Sequence, residues 1–95
     1  MGRDGSVARH LTVDGRVQGV FFRASSRERA QEVGAAGWVR NRPDGMVELW
    51  IEGDEQAVAE VEGWVRDGGP RSARVERVEA EDVEPEGLDT FTIRK

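Results

Sequence analysis

The chain has 95 residues, 37% of them apolar, with 12 glycines and a formal net charge of −5 from 14 Lys and Arg against 19 Asp and Glu. That length holds one domain, and its apolar share supports a folded core rather than wholesale disorder. With no cysteine and a single histidine, His10, a disulfide framework, a thiolate nucleophile and a multi-histidine metal site are excluded, and the acidic balance argues against a nucleic-acid binder.

Residues 1–7 are polar and glycine-rich and read as a flexible N-terminal tail ahead of a single domain over 8–95. From Ala8 to Asp14, Leu11 and Val13 alternate with Thr12 and Asp14, a half-buried strand that Gly15 is expected to end. A glycine-bracketed loop follows, Arg16-Val17-Gln18-Gly19-Val20-Phe21-Phe22-Arg23. Phe22, Ser26, Ala30 and Val33 then fall on one face of a helix from about Phe22 to Val33, with Gly34 where a C-terminal cap belongs. Gly37 to Arg42 reads as a second strand, cut by the turn Pro43-Asp44-Gly45. Met46 to Glu52 alternates strictly, Val47, Leu49 and Ile51 on one face, and completes a β-hairpin. Asp54 is a fitting N-cap for a second helix whose stripe is Ala57, Val58, Val61, Trp64 and Val65. Gly68-Gly69-Pro70 stops it. Val75 to Ala80 is a further strand, Glu81 to Asp89 an acidic connection, and Thr90 to Arg94 a short last strand.

This order predicts an α+β fold, the ferredoxin-like βαββαβ sandwich, with an antiparallel sheet carrying both helices on one face. The architecture hosts unrelated functions, so a site has to choose among them. No apolar run approaches the ~18 residues of a membrane span. The polar start Met1–Ser6 lacks a signal-peptide core, and with the missing cysteines this reads as cytoplasmic.

The loop after the first strand carries the clearest chemistry. Amides at a helix start lack intrahelical partners, and the helix dipole adds about half a positive charge there. Those of Gly19 to Phe22 can curl around a tetrahedral oxyanion, and Arg23, in the first helical turn, can return its guanidinium to the same anion. The alternative is a tight connection with Arg23 on a solvated helix face.

Other residues carry less. His10 reads as an ordinary surface side chain of the first strand, and Asp54 with Glu55 as helix-start charge. The run Glu76, Glu79, Glu81, Asp82, Glu84 and Glu86 lacks EF-hand spacing and reads as a solvated edge rather than a calcium site. Trp38 and Trp50 can neighbour across the hairpin, but the RNP aromatic motif of RNA-binding sheets is missing. Arg16, Arg40 and Arg42 are either steering charges for an anion or simply exposed.

Gly15-Arg16-Val17-Gln18-Gly19-Val20-Phe21-Phe22-Arg23 closely resembles the signature loop of the acylphosphatases, and Gly37-Trp38-Val39-Arg40-Asn41 followed by Asp44-Gly45 resembles their second signature. The likeness runs from about Ala8 to Arg94. It includes Gly-Pro-Arg-Ser-Ala at 69–73 and the closing Phe91-Thr92-Ile93. The resemblance implies the ferredoxin-like fold and hydrolysis of the carboxyl–phosphate bond of acyl phosphates without metal or cofactor. It also implies Arg23 and Asn41 as catalytic residues and Gln18, Gly19, Val20, Phe21 and Phe22 as the phosphate loop. The expected partner is a small-molecule acyl phosphate, with no nucleic acid, no membrane and a monomeric chain. Competing readings are a non-catalytic anion sensor, which has no use for Asn41, and an accessory domain of a carbamoyl-transfer maturation protein, disfavoured by a chain that ends at Lys95.

Overall fold

The computed structural model describes residues 6–95, so residues 1–5 of the expected tail lie outside the described residues, while Ser6 and Val7 already belong to the first strand. The elements are β1 (Ser6–Arg16), α1 (Phe22–Val33), β2 (Ala36–Asn41), β3 (Val47–Asp54), α2 (Glu55–Arg66), β4 (Arg74–Val83) and β5 (Phe91–Arg94). They form a single sheet in the order β4-β1-β3-β2-β5. β1 pairs antiparallel with β3 and β4, and β3 with β2, which is the expected ferredoxin-like core. β5 joins β2 in parallel, making the sheet mixed at that edge. The reason is topological: β4 and β5 occupy opposite edges, so residues 84–90 must cross the sheet, and the chain arrives running with β2.

Strand alternation sorts the two faces of the sheet. Leu11, Val13, Val39, Val47, Leu49, Ile51 and Phe91 form one buried cluster with Phe22 and Ala30 of α1 and Ala57, Val58, Val61 and Val65 of α2. Both helices therefore cover the same face, and burying each of the Val, Leu, Ile and Phe side chains stabilises the fold by about 1.5–3 kcal/mol relative to exposure. Asp54 caps α2 as expected, its Oδ1 accepting from the Ala57 amide at 2.8 Å, a contact worth about 1 kcal/mol. Trp64, on the α2 stripe, packs at the rim of the core 5.8 Å from the Phe22 ring.

The opposite face is not a plain solvated surface. Trp38 and Trp50 are cross-strand partners with ring centroids 6.2 Å apart and planes 18° from parallel. His10, expected as an ordinary surface residue, instead lies half-buried beside both rings, with Nε2 2.7 Å from Glu48 Oε2. Arg40 Nε donates to the other oxygen of Glu48 at 2.6 Å. Burial alone would raise the Glu48 pKa, but the contacts with His10 and Arg40 outweigh it and hold the carboxyl below its ordinary value.

Two strand ends depart from expectation. β1 does not stop at Gly15. It continues to Arg16 through a bulge between Asp14 and Gly15, where a Cβ would sit 2.2 Å from the Arg74 carbonyl oxygen. A glycine that reads as a breaker is thus a point of close strand approach. β4 runs on to Val83, and the segment after it is pinned by Glu52. That buried carboxylate accepts from the amides of Glu86, Gly87 and Leu88 at 3.0, 2.9 and 2.8 Å, and from the Trp50 indole at 2.8 Å.

Candidate active site

The turn from β1 into α1 is built around two left-handed residues, Gly19 (φ 72°) and Phe21 (φ 64°). Phe21 occupies the N-cap position of α1, and no side chain caps the helix there. Placing a non-glycine residue in that conformation costs roughly 1–2 kcal/mol, so the surrounding structure must hold it. Val20 and Phe22 on either side are buried, and the Val20 carbonyl accepts from Ser72 Oγ at 2.6 Å. The Phe21 carbonyl accepts from the Ser25 amide at 3.0 Å. The result is a helix start whose first amides have no side-chain acceptor, in contrast to the Asp54-capped α2.

Arg23 sits in the first turn of α1, where the helix dipole disfavours a cation. It makes no ion pair or hydrogen bond with any described residue. The two arginines that flank Asn41 behave differently: Arg40 is neutralised by Glu48 on the far face of the sheet, and Arg42 pairs with Asp44 at 2.9 Å. The steering role considered for those two arginines therefore has local carboxylates to contend with.

A cavity of about 370 Å³ opens at this turn. Gly19, Arg23 and Asn41 contribute its polar lining, and Val17, Phe21, Phe22 and Ile93 its apolar one. Among the described residues that line it, Arg23 is the only ionisable side chain, so the cavity's formal charge is positive. Asn41 reaches it from the end of β2, and its Oδ1 is buried without a protein hydrogen-bond partner. A buried acceptor in that state gains from any donor a bound molecule or water brings, or from rotation of the carboxamide.

Of the seven residues predicted from sequence, Gly19, Phe21, Phe22, Arg23 and Asn41 thus meet in one cavity. Gln18 and Val20 belong to the same loop, but their side chains turn elsewhere. Gln18 Nε2 donates to the carbonyls of Arg42 and Met46 at 2.7 and 2.8 Å, tying the loop to the hairpin turn directly after Asn41. That cross-link and the Ser72 contact were not foreseen. The signal for Gln18 was a side chain with two donors inside a glycine-bracketed loop, and for Ser72 its place in the 69–73 segment. Among the described residues no group of three His, Asp or Glu side chains is arranged to hold a metal ion.

Uncapped amides beside an arginine with no partner among the described residues, set at a strand–helix turn of a ferredoxin-like sheet, are an arrangement able to accept an anion. Comparison with known proteins shows the family. The acylphosphatase family pattern matches residues 9–93. The chain is 52% identical over 87 residues to an acylphosphatase of Thermococcus kodakarensis, covering 92% of this chain and 94% of that one. It is 50% identical over 86 residues to that of Natronomonas pharaonis, covering 90% and 92% respectively. The structure of an acylphosphatase from Coxiella burnetii superposes with a TM-score of 0.91 at 36% identity, over 99% of this chain and 100% of that one. The chain belongs to the acylphosphatase family, hydrolases that act on acyl phosphates.

Proposed function

We propose that the amides of residues 18–22 and the Arg23 guanidinium bind the phosphoryl group of an acyl phosphate while the Asn41 carboxamide orients the attacking water. The observation that carries this reading is the meeting of an uncapped α1 start, an unpaired Arg23 and Asn41 in one positively charged cavity.

The substrate's chemistry explains why so few groups suffice. An acyl phosphate is a mixed anhydride whose leaving group is a carboxylate with a pKa near ~4. It departs unprotonated, so no general acid is required. The water oxygen bonds to phosphorus as the bond from phosphorus to the carboxylate oxygen breaks, and the water's proton passes to solvent. What the protein supplies is position and charge: amides and a guanidinium for the equatorial oxygens, and a carboxamide for the nucleophile. Arginine suits the first task because its planar fork grips two oxygens and stays charged. Asparagine suits the second because it accepts from water without titrating. The reaction uses neither metal nor cofactor, and the enzyme acts as a cytoplasmic monomer on small molecules.

Phosphate release from acetyl phosphate and benzoyl phosphate tests the reading. Arg23→Gln and Asn41→Ala are each expected to lower kcat/KM by about 10²–10³, the usual loss for one oriented donor, with native far-UV circular dichroism. Turnover near wild type in either variant refutes the assignment.

A further inference from the structure

We propose that the Phe21 side chain, with Ile93, forms the wall against which the acyl group of the substrate packs, so that the preferred substrates carry an apolar, ring-sized acyl group. This rests on the acylphosphatase reading above and adds a side of the substrate which that reading leaves unassigned. Phe21 is the only described non-glycine residue with positive φ, and it is 80% exposed, whereas its neighbours Val20 and Phe22 are 7% and 2% exposed. Glycine would adopt this backbone without strain, and the amide expected to meet phosphate needs no ring. The core gains nothing from a side chain directed outward. Phe21 does line the cavity that Arg23 and Asn41 share.

The backbone that presents it is held on both sides. Ser72 holds the carbonyl before it, the Ser25 amide holds its own carbonyl, and the buried Phe22 ring against Trp64 anchors the residue after it. An acyl phosphate has two chemically distinct ends. The phosphoryl end takes the polar lining, and in-line displacement puts the carboxylate on the side of phosphorus away from the water. The remaining wall of Phe21 and Ile93 offers no side-chain donor, acceptor or counter-charge. A second charge on the acyl group would lose hydration there without repayment, whereas an aromatic or branched aliphatic group gains contact.

Steady-state kinetics of the purified chain on benzoyl phosphate and acetyl phosphate decide the matter, with Phe21→Gly and Phe21→Leu beside the wild type. Glycine is at home at this φ, so the first variant removes the ring without straining the loop. The second keeps the backbone cost and a smaller apolar group. The ratio of kcat/KM for benzoyl over acetyl phosphate is expected to fall about three- to tenfold in Phe21→Gly, the size of one aromatic contact. The change should sit mainly in the KM for benzoyl phosphate, with Phe21→Leu in between. Using the ratio cancels intrinsic reactivity and any loss common to both substrates. A ratio within about twofold of wild type, or a fall confined to kcat, overturns the proposal. A wild-type chain that hydrolyses neither substrate overturns the acylphosphatase reading itself, and this inference with it.

Discussion

Glu52→Gln tests how the sheet is closed at its β5 edge. In the native chain the carboxylate receives three successive amides and the Trp50 indole, all between 2.8 and 3.0 Å. Hydrogen bonds to an ionised group contribute about 1.5–3 kcal/mol each, against which stands the several kcal/mol of desolvating the carboxylate. Glutamine offers one oxygen where two were used and turns an N–H toward amides that also donate. The expected loss is about 3 kcal/mol, or a fall in Tm of roughly 10–20 °C for a domain of this size. Burial, the largest influence on Glu52, raises its pKa, but the four donors together hold it below the ordinary 4.5. A carboxyl with a lowered folded pKa stabilises the protein above its unfolded value, and that contribution disappears as pH falls through the folded value. Urea unfolding followed by tryptophan fluorescence should therefore show the full gap between wild type and variant at pH 7 and a shrinking gap below pH 4.5. A difference under about 1 kcal/mol at pH 7, or one independent of pH, refutes this account of the crossing.

Two further outcomes follow from particular contacts. Gln18→Leu removes both donors that tie the phosphate loop to the Arg42 and Met46 carbonyls; kcat should drop by about 10²-fold through misplacement of Asn41, with native circular dichroism, and unchanged kcat shows that the hairpin holds Asn41 unaided. Ser26→Ala should raise stability by about 1 kcal/mol in urea unfolding, because the Ser26 hydroxyl is fully buried with no partner, and a destabilised variant would mean that the hydroxyl is satisfied in solution.

The hairpin, both helices and the strand order were legible because each rests on local periodicity or turn chemistry: α1 occupies the stretch that the Phe22-Ser26-Ala30-Val33 spacing marks, and Asp54 caps α2. What sequence spacing could not reach were features set by distant partners. Gly15 reads as a strand end, yet the approach of Arg74 makes it a bulge. His10 reads as exposed because nothing nearby in sequence reveals that Trp38, Glu48 and Trp50 assemble around it. The parallel β5 depends on a crossing held by Glu52, more than 30 residues away in the chain. At the site the loop motif pointed to Arg23 and the family likeness to Asn41. The Gln18 and Ser72 cross-links are long-range and became visible only in three dimensions.

The two helices of this small fold begin in opposite ways, and the contrast argues for what the site is built to hold. α2 starts with every local preference met: an aspartate cap, a glutamate in the first turn and an arginine in the last. α1 starts with none of them. It has a left-handed phenylalanine in place of a cap, no acidic residue in its first turn and, where the dipole repels it, an arginine without a partner among the described residues. Each choice costs stability separately, and a chain of 95 residues has little to spare. All three costs fall in the first turn of α1, where Phe21 and Arg23 line one cavity, and a single dianion seated there would relieve two of them by accepting from the open amides and pairing with Arg23. Concentrating unfavourable terms at one point while the rest of the fold is locally consistent is how a binding site differs from a poorly made helix end.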